Sequence, residues 1–212
     1  MTEGTRRLTA RGAATRERIV GAAARLFYER GVRNTGNEDI RREAEVSGSQ
    51  LNHFFATRED LVRAVLDRRT AEASDPERIP GLGRPATLAA LREWADEYVE
   101  HWQDRLAGCR VGSIAAETLK SGFSLDDEVA GAFERWRAAL EAGLLALRDH
   151  GELAPDTDVR ELSLVLLTSL QGGLLLTQAQ QDVAPLRAAL DAAVASVAAH
   201  ATAAPGAHWS HG

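Results

Sequence analysis

The sequence predicts an all-α protein built in two parts. Apolar residues recur with the helical period along nearly all of its 212 residues, and no stretch alternates as a strand does. A Pro/Gly-rich segment, ASDPERIPGLGRP at 73–85, separates short capped helices from a run of longer ones.

The first helix is expected over about 13–30. Ile19, Ala23, Leu26 and Phe27 form one apolar stripe, and Gly31 is placed to stop the helix in a left-handed cap. Short helices follow near 36–44, 48–54 and 58–72. Thr35-Gly36-Asn37-Glu38 fits a capping box, with Thr35 accepting a backbone N–H and Glu38 reaching back. Ser47-Gly48-Ser49-Gln50 repeats that pattern, and Thr57-Arg58-Glu59-Asp60 is a weaker version. About three residues separate the first two of these helices, which forces a sharp turn.

Longer helices are expected over about 86–106, 112–121, 125–150, 157–180 and 183–200. Asp126, Asp127 and Glu128 suit the positive start of the third, and Gly151 its end. Asp182 and Pro185 suit the start of the last. The end of the chain, ATAAPGAHWSHG at 201–212, reads as a disordered tail.

The net charge of -6 conceals an asymmetry. Residues 1–70 hold 14 arginines against 10 acidic residues, a net of +4, while residues 71–212 hold 11 basic against 21 acidic residues, a net of -10. A basic end on an acidic chain marks a candidate nucleic-acid module. A single cysteine, Cys109, excludes an internal disulfide and points to a reducing, cytoplasmic setting. No signal peptide is expected, and no apolar run approaches a membrane span. Six scattered histidines show no metal or Cys/His spacing, and no Gly-rich phosphate loop is present. No catalytic residue, metal site or cofactor is therefore assigned.

Two short capped helices after an amphipathic one fit a helix-turn-helix over about 36–55. Leu51 and Phe55 would anchor its second helix. Ser47, Ser49, Gln50, Asn52 and His53 would face outward, with groups suited to base edges and phosphates. A three-helix bundle with polar faces is the alternative on local pattern alone. The order of residues adds to this. Ile19, Ala23, Leu26, Phe27, Gly31, Thr35, Ile40, Ala44, Val46, Ser47, Leu51, His53, Phe55 and Leu61 together make residues 15–66 resemble the DNA-binding domain of TetR-family transcriptional regulators.

That resemblance implies an N-terminal three-helix helix-turn-helix DNA-binding domain (1–72) and a C-terminal helical ligand-binding and dimerisation domain (73–200). It further implies a homodimer, formed through the helices near 157–180 and 183–200, on a palindromic double-stranded operator. Thr35 and the helix it caps would sit at a phosphate. Arg58 matches the family's backbone-contacting lysine, and Arg11 and Arg16 are candidates for backbone or minor-groove contact, with Arg6 and Arg7 adding non-specific attraction. Gln50, Asn52 and His53 are the candidate base readers, Ser47 and Ser49 the candidate phosphate contacts. Three departures stand out: Arg41 where the family has a small residue, Glu45 where it has the turn's glycine, and Asn52 where it often has tyrosine.

In the second part, Leu162, Val165, Leu166, Ser169, Leu170 and Gly173 form a continuous stripe. Gly172 and Gly173 imply close approach by another helix. The face around Leu186, Leu190, Val194 and Val197 fits the family's dimer interface, with core packing in a monomer as the alternative. Trp94, Tyr98 and Trp102 recur every four residues, and Trp136 is on another helix. With Cys109, Leu166 and Gln171 they are the candidate lining for a small apolar or aromatic inducer, or else a core stripe. AGCRVGSIAAE around Cys109 is similar to a segment in a branch of the family that senses drug-like or flavonoid-like compounds. There Cys109 is either a small buried residue or a redox or electrophile sensor. The expected function is a repressor released by its inducer. A Cys/His enzyme and an oligomeric scaffold with a degenerate DNA-binding domain are the rival classes.

Overall fold

The computed structural model describes residues 9–75, 87–103, 106 and 108–202. Among these the helices are α1 (Ala10–Arg30), α2 (Asn37–Ala44), α3 (Gly48–Phe54), α4 (Arg58–Ser74), α5 (Leu88–Gln103), α6 (Arg110–Thr118), α7 (Asp126–Asp149), α8 (Val159–Gln180) and α9 (Ala184–Ala198). Extended pairing among the described residues is confined to one antiparallel bridge, Leu153 with Ala201. Two compact units result: Met1–Glu72 with Arg110–Phe133, and Ala73–Cys109 with Glu134–Gly212. A boundary at the Pro/Gly segment alone does not describe this grouping, because Ile114 of α6 and Leu125 complete the core of the N-terminal helices.

In the first unit, α1 starts at Thr9, whose side chain accepts from the Gly12 N–H at 3.2 Å. Its inner stripe of Ile19, Ala23, Leu26 and Phe27 is buried with Ile40, Leu51, Phe55, Leu61 and Val65. Gly31 ends α1, but not in the left-handed cap expected of it. Its φ is 87° and its ψ 157°, a region open in practice only to glycine.

The second capping assignment shifts by one residue. Gly36, not Thr35, is the N-cap of α2, and Asp39 rather than Glu38 reaches back, accepting from the Gly36 N–H at 3.2 Å. The boxes of α3 and α4 form as expected. Gln50 N–H donates to Ser47 Oγ at 3.1 Å while Ser47 N–H donates to Gln50 Oε1 at 2.9 Å. Thr57 and Asp60 exchange the same pair of bonds at 3.0 and 3.1 Å.

The second unit is held by helix–helix packing. α8 and α9 lie against each other along much of their length, and α5 packs on α9. Gly173 permits this: a Cβ there would stand 2.9 Å from Leu186 Cα, closer than real contacts allow. Gly172 faces open space. Arg137 of α7 is almost wholly buried. It holds Glu134 through two bonds (2.6 and 2.9 Å) and donates to Glu141 Oε2 and Ser163 Oγ, both at 2.9 Å, pinning α7 to α8. The expected tail needs a correction at its start. Ala201 joins the bridge and Thr202 N–H donates to the Glu152 carbonyl, whereas residues 203–212 lie outside those described.

α8 also corrects the expectation about membrane spans. By length and composition Val159–Gln180 is apolar enough to cross a bilayer, with mean hydropathy 1.4, but 44% of that window is buried within the chain.

Candidate functional site

The outer face of α3 is polar because its inner face is spent on the core. Leu51 and Phe55 are buried, while Ser47, Ser49, Gln50, Asn52 and His53 are all exposed on a helix of seven residues. Their geometry divides them. Ser47 and Gln50 are partly occupied by the capping box, and Ser47 Oγ lies 2.8 Å from Ser49 Oγ. Asn52 carries an exposed carboxamide and His53 an exposed imidazole that meets Phe54 edge-on at 5.0 Å, so both present donors and acceptors outward.

Glu45 joins α2 to α3 at φ 53° and ψ 51°, a left-handed conformation that costs a residue with a Cβ roughly 1–2 kcal/mol. That turn aims α3, so the chain keeps the backbone path without the glycine that would make it easy.

Two residues expected at phosphates make internal bonds, one buried and one half-buried. Thr35 is buried, and its hydroxyl donates to the carbonyls of Leu26 (3.2 Å) and Gly31 (2.8 Å), tying the start of α2 to the end of α1. Arg58 donates to the carbonyls of Val32 (2.7 Å) and Thr35 (2.8 Å) and stacks over Phe27 with 4.5 Å between guanidinium carbon and ring centre. Burial pulls its pKa below the ordinary arginine value. Both residues brace the α1–α2 connection. Arg16 lies over the Phe55 ring at 5.2 Å, half-buried, and Arg11 is exposed at the start of α1. Arg6 and Arg7 lie outside the described residues.

In the second unit, Trp94, Tyr98 and Trp102 do form a ladder along α5, with ring centres 5.8 and 6.4 Å apart. Trp94, Trp136 and Leu166 are buried, and the indole N–H groups of both tryptophans have no hydrogen-bond partner among the described residues. Tyr98 has its hydroxyl pKa pushed up, first by burial and then by the nearby Cys109. Gln171 Nε2 donates to Cys109 Sγ at 3.4 Å, so two residues 62 apart in sequence meet here.

Residues 19–65 match the family described as bacterial regulatory proteins, tetR family. Residues 85–192, half of the chain, match the family described as transcriptional regulator LmrA/YxaF-like, C-terminal domain. The chain belongs to the TetR family of transcriptional regulators. The HTH-type transcriptional regulator LmrA of Bacillus subtilis (strain 168) is 27% identical over 180 residues, covering 81% of this chain and 90% of that protein. The HTH-type transcriptional regulator HbdR of Aromatoleum sp. (strain CIB) is 34% identical over a shorter stretch, 38% of this chain and 36% of that protein. In fold, a TetR transcriptional regulator from Chloroflexus aurantiacus J-10-FL matches 92% of this chain and all of its own at a TM-score of 0.75 and 21% identity.

As a TetR-family regulator the chain is DNA-binding through its helix-turn-helix, and α8 is a helix of the regulator's C-terminal region rather than a membrane span. One residue of its first unit has no warning in the sequence. Glu117 of α6 accepts from Val32 N–H at 2.7 Å and Arg33 N–H at 3.4 Å, 85 and 84 residues away. Its carboxylate fills the space a Cβ at Gly31 would need, and Arg33 in turn donates to the Lys120 carbonyl. Neither end of this clasp carries a local motif. In the second unit, the face of Leu186, Leu190, Val194 and Val197 that fitted a dimer interface is buried inside the chain, as is the stripe of Leu162, Leu166, Leu170 and Gly173. Their partners are α5 and each other.

Proposed function

We propose that the chain is a homodimeric repressor that leaves a palindromic operator when a small apolar or aromatic compound binds its second domain. The observation that carries this is the face of α3: four exposed polar side chains on a short helix, with Ser47 at its cap, and the other side locked into the core. Asn52 and His53 read base edges, assisted by the free end of Gln50, and the hydroxyls of Ser47 and Ser49 meet phosphates. Arg11 and Arg16 add backbone or minor-groove contact. The DNA-binding domain is taken as residues 1–72 and the ligand-binding and dimerisation domain as 73–200, with the cytoplasm as the working compartment.

The dimer reading moves to the faces that the chain leaves uncovered. On α8 these are Leu164, Thr168, Gly172, Leu175 and Leu176, spaced as one helical side, with the three leucines about half exposed or more. On α9 the exposed Ala188, Ala192, Ala195 and Ala199 allow close approach. Two-fold pairing there places two recognition helices for two half-sites. Trp94, Tyr98, Trp102, Cys109, Trp136, Leu166 and Gln171 are the proposed lining, and inducer binding favours a state whose half-site spacing no longer fits. Cys109, a partly exposed residue whose Sγ accepts from Gln171, supports a second form of the same reading in which oxidation or an electrophile is the signal.

Thermal-shift screening of small aromatic compounds, followed by release of bound palindromic duplex by each hit, tests this reading. A compound that raises the melting temperature and releases DNA is the expected result. Ligand release that vanishes in Cys109→Ser, with oxidant response lost alongside, selects the thiol form. Failure to prefer any palindromic duplex over random DNA at moderate salt contradicts the repressor.

A further inference from the structure

α2 carries two arginines that no role above absorbs: Arg42 pairs with Asp39 of its own helix at 2.6 Å, and Arg41 turns towards α3. A Cβ built on Gly48 would stand 3.6 Å from Arg41 Nη1, 3.7 Å from Cζ and 3.8 Å from Nε. The guanidinium of Arg41 thus lies against the first turn of α3, at ordinary contact distance from where a side chain at 48 would begin. Nε is buried there without a hydrogen-bond partner, while the side chain as a whole remains 38% exposed. Arg41 is thus packed by its stem and inner nitrogen and open at its head.

We propose that Arg41 is a DNA-phosphate contact, a guanidinium delivered from α2 to the first turn of α3. Three observations support it. The guanidinium lies against Gly48, the residue between the exposed Ser47 and Ser49. Its partner in the free protein is Glu38, a 2.8 Å pair in which the glutamate is 70% exposed. Such an open pair is weak and exchanges readily for a phosphate, which offers a charge-assisted and bidentate partner. Finally, α2 and its turn carry four acids, Glu38, Asp39, Glu43 and Glu45, against only Arg41 and Arg42, so each of these two cations counts for attraction to a polyanion.

The role rests on the DNA-binding reading, and the test separates the two. The probe is a palindromic duplex enriched by the wild-type protein from a random-sequence pool, titrated at several salt concentrations. Arg41→Met keeps the stem and removes the charge. It is expected to weaken binding about tenfold and to make the slope of log affinity on log salt shallower by about 2, one phosphate for each half-site. Adding Gly48→Lys to Arg41→Met returns a cation to the same place and restores most of the affinity and the slope. Arg41→Lys retains the slope, which covers the case in which Arg41→Met fails to fold. Unchanged affinity and slope in Arg41→Met overturn the assignment while leaving the regulator reading intact. Loss of discrimination at one base pair with an unchanged slope also overturns it, in favour of base readout. A wild-type protein that enriches no duplex overturns the regulator reading and this role together.

Discussion

The α2–α3 motif and the α8–α9 pair solve opposite problems. α2 and α3 are 8 and 7 residues long, too short to be stable alone, and hydrogen bonds at their ends hold them in place. The Ser47–Gln50 box, the Gly36–Asp39 bond, Thr35's two bonds to α1 and Glu117's clasp on Val32 all serve that end, leaving the outer face of α3 free. α8 and α9 are 22 and 15 residues long and rely on apolar contact and on one glycine at their closest approach. Where polar groups fix the backbone, exposed side chains are available for recognition. Where packing fixes it, the conspicuous apolar stripe is consumed inside the chain, and the surface for a partner is whatever remains on the other side.

The contrast is broken most severely at Gly173. Gly173→Val drives a side chain into the Leu186 backbone and should cost about 3 kcal/mol by chemical denaturation. The adjacent Gly172→Ala has open space around its Cβ and should instead stabilise the protomer by up to about 1 kcal/mol. Equal effects at the two glycines would mean that α8 and α9 do not meet as described.

In the first unit the corresponding weak point is polar. Thr35→Val keeps the shape but removes the donor shared by Leu26 and Gly31, for an expected loss of about 2 kcal/mol. DNA affinity extrapolated to the fully folded protein should hardly change, because the hydroxyl is buried. A selective loss of DNA binding with unchanged stability would return Thr35 to the phosphate contact first expected of it.

Smaller still is the turn. Glu45→Gly relieves a left-handed residue and should gain about 1 kcal/mol, less whatever the more flexible unfolded chain takes back.

The smallest effect is electrostatic and belongs to α7. Arg137, and then Arg160, hold the Glu134 carboxyl down to about 2 from an ordinary 4.5. The folded-state pKa is lowered, so this contribution is fully present above the ordinary value and disappears as pH falls through about 2. Melting temperatures of wild type and Glu134→Gln should differ above pH 5 and converge towards pH 2.

Local chemistry made the first unit legible. Ser47 and Gln50, three residues apart, announce α3, and the burial of Leu51 and Phe55 decides which way Asn52 and His53 face. The one-residue slip at Thr35 arose because Asp39 competes with Glu38 as the returning acid, and no local pattern shows that Thr35 bonds across nine residues to Leu26. The bonds of Arg58 were illegible for the same reason: the carbonyls it meets belong to residues 23 and 26 positions away. The clasp of Glu117 spans a still longer interval.

In α8 the difficulty is of another kind. A helix apolar on most sides does not reveal which stripe meets its own chain, and Leu166 and Leu176 look alike until folding buries one of them. Gly173 did carry a signal, and it pointed correctly to a close neighbour. That neighbour is α9 of the same chain.

The central claim is that the face of α3 reads DNA and contributes little to the fold. Affinity of Asn52→Ala/His53→Ala for a wild-type-selected palindromic duplex, measured beside its melting temperature, tests it most directly. The account predicts a loss of at least about tenfold for the selected duplex, little change on random DNA, and a melting temperature near that of wild type. Selected-duplex affinity that survives both substitutions would contradict it.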